Sequence, residues 1–175
     1  MPDHFYTFRV GVDTETMADK INRYLTQSAH VIKPSSQSVT SSTTFINDSA
    51  LVLNVSANTD YWVTAVLIYT GANGNFKQQW GVPTGASLLW TGDYLGNGVT
   101  NTFGIVSRTQ HAYNAGTAVA GGAASGTYQC SVPKGILRVG SSAGQLRVRW
   151  AQGTSSGTST TLRSGSVLFL RRLQA

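Results

Sequence analysis

A chain of 175 residues with a formal net charge of +6 is long enough to bury one hydrophobic core and short for two. Charged residues are 11% of it against about 25% in an average soluble domain, and Gly, Ser and Thr are abundant, so much of the surface is neutral and suits assembly. No apolar run approaches the roughly 18 residues of a membrane span, and the polar start Met1-Pro2-Asp3-His4 does not read as a secretory signal. A soluble protein made in a cytoplasm is expected, with the single Cys130 as a buried structural thiol in the run Thr127 to Val132.

In chain order, Phe5, Tyr6, Phe8 and Val10 form a short aromatic stretch that reads as an arm pairing elsewhere. Asp13-Thr14-Glu15-Thr16 reads as a helix start with acidic residues at the positive end of the dipole. Met17, Ile21, Tyr24 and Leu25 follow at helical spacing, one narrow apolar stripe on about twelve residues, a length marginal in isolation. Such a stripe packs on its own domain or docks on a neighbouring subunit, and both readings stand. After Lys33-Pro34 the Ser/Thr-rich connector Ser35 to Thr44 places a boundary, giving an N-terminal anchoring arm and helix over 1–33 and a β-domain over 34–175.

Beyond that boundary every element reads as strand. Leu51, Leu53 and Val55 alternate with Val52 and Asn54. The run Tyr61 to Tyr69 is apolar on both alternating faces, as a central strand covered twice would be. Asn73-Gly74 marks a hairpin into Phe76 to Val82, and short strands follow at Ala86 to Trp90, Thr102 to Val106 and Ile136 to Val139. Ala115 to Gly126 reads as a flexible loop. In Gln145 to Trp150 the alternation is clean, with Leu146, Val148 and Trp150 inward and Arg147 and Arg149 outward; Ser166 to Leu170 is the last strand. The fold class is mainly β, an antiparallel jelly-roll-like sandwich preceded by the short arm and helix.

Charge is placed unevenly. Residues 1–33 balance Asp3, Asp13, Glu15 and Asp19 against Arg9, Lys20, Arg23 and Lys33, while no carboxylate side chain follows Asp93. The late strands, with Arg147, Arg149, Arg171 and Arg172, form a basic surface for an acidic partner. The arginines are spread along strand faces without a stacking platform, so nucleic acid is not expected as partner.

Catalytic parts are few. Asp48, Asp60 and Asp93 each sit beside a turn or strand end, which accounts for them without acid–base work. His4, His30, His111 and Cys130 show no metal-ligand spacing, and no cofactor fingerprint is present. Gly153-Thr154-Ser155-Ser156-Gly157 matches a nucleophile elbow by letter, yet no Asp, Glu or His follows Ser155 to complete a triad. No enzyme, cofactor or metal is expected.

Lys33-Pro34, Ser38 to Thr44, Asp48, Leu51-Val52-Leu53, Asn58 and Tyr61 to Tyr69 together resemble a β-domain common in virion proteins of tailed phages of actinobacteria. So does the closing pattern Gly144 to Gln152 through Thr160 to Ser166 and on to Arg172-Leu173. The likeness spans nearly all of 33–173 and rests on strand patterns. It implies homotrimers of jelly-roll-like sandwiches, in tail-tip, fibre or small head accessory proteins. The short anchor and the lack of a shaft favour a capsid decoration protein on the exterior of the virion head, its partners being the major capsid protein and further copies of itself. Contacts are expected from the anchor (Phe5, Tyr6, Phe8, Val10, Met17, Ile21, Tyr24, Leu25) and from Arg147, Arg149, Arg171 and Arg172. A minor tail or fibre protein with a receptor-binding β-domain is the first alternative. A carbohydrate-binding module using Trp62, Trp80, Trp90 or Trp150 is the second.

Overall fold

Alternation with a period of two organises the chain into strands. The computed structural model describes residues 16–18, 21, 27–71, 75–95, 106–111, 118–120 and 127–173. Within them run β1 (Ser28–Ile32), β2 (Gln37–Val39), β3 (Ile46–Val55), β4 (Asp60–Thr70), β5 (Phe76–Gly81) and β6 (Ser87–Leu95). They are followed by β7 (Val106–His111), β8 (Ala118–Ala120), β9 (Gln129–Arg138), β10 (Gly144–Ala151), β11 (Thr160–Leu162) and β12 (Val167–Arg172). All pair antiparallel. An eight-stranded sheet takes the order β1-β12-β4-β9-β6-β7, with β11 and β2 attached at the far end of β4. A four-stranded sheet, β3-β10-β5-β8, packs against it. Successive strands repeatedly change sheet, at β2 to β3, at each step from β3 to β6, at each step from β7 to β10 and at β10 to β11, which makes the sandwich jelly-roll-like.

The core is the inner face of both sheets. β4 contributes Tyr61, Val63, Ala65, Leu67 and Tyr69, all buried, and the small sheet answers with Leu51, Phe76, Trp80, Leu146, Val148 and Trp150. Aromatic rings join the layers: Tyr69 stacks on Phe76 at 4.4 Å between centroids, and Trp80 meets Trp90 edge-on at 6.3 Å. Between β3 and β4 the chain turns through Asn58, whose φ of 50° is a left-handed conformation that asparagine tolerates. One of the two apolar faces of β4 is therefore covered by the second sheet. The other is the outer face of the large sheet.

Several sequence expectations are corrected. Ser28–Ile32, assigned to the anchor, form the edge strand β1 on β12, and Lys33 after it is buried, because it shares the parity of Val31, which packs on the core, while His30 and Ile32 point away. The connector 35–44 contains β2, paired with β11. Thr127 to Val132 and Ile136 to Val139 were expected to be separate, yet β9 runs unbroken through Pro133. The β4–β9 ladder is interrupted opposite that proline, which has no N–H to donate, and Thr64 Oγ1 donates to the Pro133 carbonyl at 3.3 Å. The expected loop 115–126 includes β8, where Ala120 is small enough to be fully buried beside Phe76. Cys130 is exposed: strand parity turns Ser131 inward and the thiol out, although partial burial still raises its pKa. Residues 102–105 of one expected strand, and most of the expected helix, lie outside the described residues.

Candidate interaction surfaces

The outer face of the large sheet is built by register. Arg171 lies beside Trp62, Trp62 beside Ile136, and Ile136 beside Leu89, a transverse row over β12, β4, β9 and β6. The next row is His30, Phe169, Thr64, Lys134 and Thr91. Alternation on each strand sends the neighbours of these residues into the core, so the row itself must face out. Ile32, Trp62, Leu89, Ile136 and Phe169 are between 36% and 58% exposed. Five large side chains exposed to that degree amount to several hundred Å², the size at which an apolar patch marks an interaction surface.

Two concavities flank Trp62. One, of about 490 Å³, is lined by Trp62, Leu89, Lys134 and Ile136; the other, of about 500 Å³, by Gln27, Trp62, Arg171, Arg172 and Leu173. The Arg172 N–H donates to the Gln27 carbonyl at 2.6 Å, so the chain enters the sheet at the rim of the second. Gly135 sits beneath the first. A Cβ there would fall 2.7 Å from Trp90 Cβ, so only glycine lets β9 lie against β6 at this point. Ion pairs edge the face, Lys134 to Asp93 at 3.0 Å and Arg138 to Asp60 at 3.7 Å, both partly exposed and worth little to stability.

The outer face of the small sheet is different in kind. Arg147 and Arg149 project from β10 beside Gln79 and Gly81 of β5 and Asn47 and Val52 of β3. Arg149 Nη1 donates to Gln79 Oε1 at 3.2 Å, and Lys77 Nζ lies 4.5 Å from the ring centroid of Phe45.

Under both faces lies a buried ion pair. Asp48 Oδ2 accepts from Lys33 Nζ at 2.6 Å and from Trp150 Nε1 at 3.3 Å, while Oδ1 accepts from the N–H groups of Ala50 and Leu51 at 2.9 and 2.8 Å. Asp48 is not at a turn or strand end as expected: it lies within β3, where the register against β10 is interrupted, and its carboxylate takes the Ala50 and Leu51 N–H groups there as well as the Lys33 ammonium. Asp60 and Asp93 are also ion-paired. Among the described residues no group of three or more His, Cys, Asp and Glu could hold a metal ion, and no helix is long and apolar enough to cross a membrane. Ser155 stands on an exposed loop from β10 to β11 that is shaped by Gln152, which donates to the Thr158 carbonyl and accepts from the Ser42 and Ser156 N–H groups. That is not the strand-to-helix elbow of a nucleophile.

The predicted contact residues do not converge on one end. Arg147 and Arg149 lie on the outer face of the small sheet, and Arg171 beside Trp62 on that of the large one, with Arg172 at the end of β12 opposite Tyr61 and at the rim of the same concavity. Met17 and Ile21 are exposed, whereas Phe5, Tyr6, Phe8, Val10, Tyr24 and Leu25 lie outside the described residues. Of the four tryptophans, Trp80, Trp90 and Trp150 are core and only Trp62 is available to a ligand. Sequence reasoning missed Leu89, Ile136 and Phe169; the doubly apolar alternation of β4 was the signal that a face of this kind existed.

No family model and no curated protein sequence matches the chain. Among solved structures it shows a weak, partial likeness to the infectious bursal disease virus VP2 subviral particle, at 12% identity and a TM-score of 0.33 over 83% of this chain and 32% of that one. A structure of the Gt strain of that virus gives 12% identity and a TM-score of 0.25 over 85% and 38%. The chain spans about a third of the length of the structures it matches.

Proposed function

We propose that this chain is a non-enzymatic structural protein of a tailed-phage virion, a homotrimeric decoration protein that binds the outside of the capsid and stabilises it. The observation that carries this reading is the exposed apolar face around Trp62, Ile136, Leu89 and Phe169, which a solitary domain would leave in water. In the trimer this face meets a second copy. The anchor, with Phe5, Tyr6, Phe8, Val10, Met17, Ile21, Tyr24 and Leu25, then reaches the capsid subunits together with the exposed arginines. Because the trimer binds the assembled lattice and not its separate subunits, occupancy stabilises the shell by mass action.

Quantitative mass spectrometry of separated heads and tails tests the reading. Many copies per head are expected; a few copies confined to tails would replace it with the minor tail reading. A truncation lacking residues 1–26 is expected to stay folded and trimeric and to lose capsid binding. The cut stops at residue 26 because Gln27 and β1 belong to the sheet. The cavity of Trp62 with Gln27, Arg171 and Arg172 favours carbohydrate binding as a second reading, and saturable binding on a glycan array that Trp62→Ala abolishes would support it.

A further inference from the structure

Among the described residues, the outer face of the small sheet is cationic without a counter-charge of its own. The described carboxylates Asp48, Asp60 and Asp93 are taken by Lys33, Arg138 and Lys134, none of which lies on this face. Among the described residues, Arg147, Arg149 and Lys77 have neutral partners. Arg147 Nη2 donates to Gln145 Oε1, Arg149 Nη1 to Gln79 Oε1, and Lys77 Nζ to the Thr43 carbonyl at 2.6 Å. The two arginines border an open groove of about 660 Å³ whose other walls include Asn47, Pro83 and Gly144. Gly81 makes the floor flat: a Cβ there would stand 2.8 Å from Arg147 Cγ and 3.2 Å from Arg149 Cδ. The arrangement sets two arginines two positions apart on one face of β10, with no carboxylate described beside them that an anionic partner would have to displace.

We propose that this groove binds an extended acidic polypeptide segment whose carboxylates fall on alternate residues. Arg147 and Arg149 are two residues apart on one strand, about 6.8 Å, which is also the spacing of same-side residues in an extended partner. Two carboxylates can then meet two guanidinium forks in register. Asn47 at the rim supplies a side-chain amide for the partner's backbone. Polypeptide is favoured over single-stranded nucleic acid because the latter binds by stacking on exposed aromatic rings. Here Phe76, Trp80 and Trp150 face the core, and Phe45 is occupied by Lys77 and Arg149. The proposal concerns the free protein and does not depend on the virion reading.

The test is fluorescence anisotropy with the full chain and a labelled ten-residue peptide of alternating Glu and Thr. The same composition as one Glu block and one Thr block, and an oligothymidylate of equal length, serve as competitors. The alternating peptide is expected to bind about tenfold tighter than the blocked one. Arg147→Gln with Arg149→Gln is expected to weaken it about tenfold, while Arg171→Gln with Arg172→Gln changes it less than about twofold. Should the first double variant fail to fold, Arg147→Lys, which keeps the charge and loses the fork, must still weaken binding by about threefold. No binding, equal affinity for the two peptides, tighter binding of oligothymidylate, or a loss seen only in the Arg171/Arg172 variant would overturn the proposal.

Discussion

The two outer faces of the sandwich are made by the same strand alternation and differ in everything else. On the large sheet the outward positions of β4, β9, β6 and β12 carry Trp62, Ile136, Leu89 and Phe169, held among few charges. On the small sheet the outward positions of β10 and β5 carry Arg147, Arg149, Gln79 and Lys77. An apolar face gains free energy from any surface that removes it from water, so it favours area and shape. A face of unpaired guanidinium groups gains only where opposite charge is correctly placed, so it favours sequence and register. One fold thus presents outer faces of two chemistries on opposite sides, and each can be altered without touching the other.

The largest effect should come from the scaffold beneath both. Asp48→Ala leaves the Lys33 ammonium buried without its carboxylate and removes the acceptor for Ala50, Leu51 and Trp150; a loss of about 3–5 kcal/mol is expected in chemical denaturation. Lys33→Met should cost less, since Asp48 keeps those three donors. On the apolar face, Trp62→Glu with Ile136→Glu is expected to convert an associated species to monomer in sedimentation velocity. The monomer's unfolding free energy should fall by about 2 kcal/mol, because the two glutamates would face each other across β4 and β9 and both sites lose partial burial. If the double variant sediments as the parent does, the apolar face is not the contact between copies.

Between the faces, Tyr69 supplies a pH-dependent joint. Burial, with a smaller contribution from Cys130, raises its pKa well above the ordinary 10.0. The folded state therefore holds this proton more tightly than the unfolded chain. Its contribution is complete below about pH 10 and is lost as pH rises toward the folded-state value. Stability should fall as pH rises above about 10, and Tyr69→Phe should flatten that fall. The smallest effect belongs to the thiol. Cys130 should react with a maleimide without denaturant because it is exposed, but more slowly at pH 8 than a short cysteine peptide, since its raised pKa keeps it protonated. Absence of labelling in the folded monomer would contradict its outward position.

How much of this was legible is clearest at β4 and Cys130. The run Tyr61 to Tyr69 announced a strand with two apolar faces, and β4 spans Asp60–Thr70 with one face in the core and the other outside. Gln145 to Trp150 likewise fixed which way the arginines point. Cys130 was misread because a run of strand-forming residues sets the period but not the phase, and only the neighbours of β9 decide that Ser131 is the inward one. Lys33 reads from the sequence as one of the charges balanced within residues 1–33, because its carboxylate partner is fifteen positions away in sequence and adjacent only in space.

By itself, then, the sequence determined the strand period, the antiparallel sandwich, the outward arginines on β10 and the shortage of catalytic groups, since these follow from local alternation and composition. Tertiary structure alone decided which strands became neighbours. That pairing gathered Trp62, Ile136, Leu89 and Phe169 from four strands into one face, put Arg147 and Arg149 on the opposite side from Arg171, and joined Lys33 to Asp48. The physical reason is that a side chain's direction is set within its own strand, whereas what it meets is set by the register between strands distant in the chain.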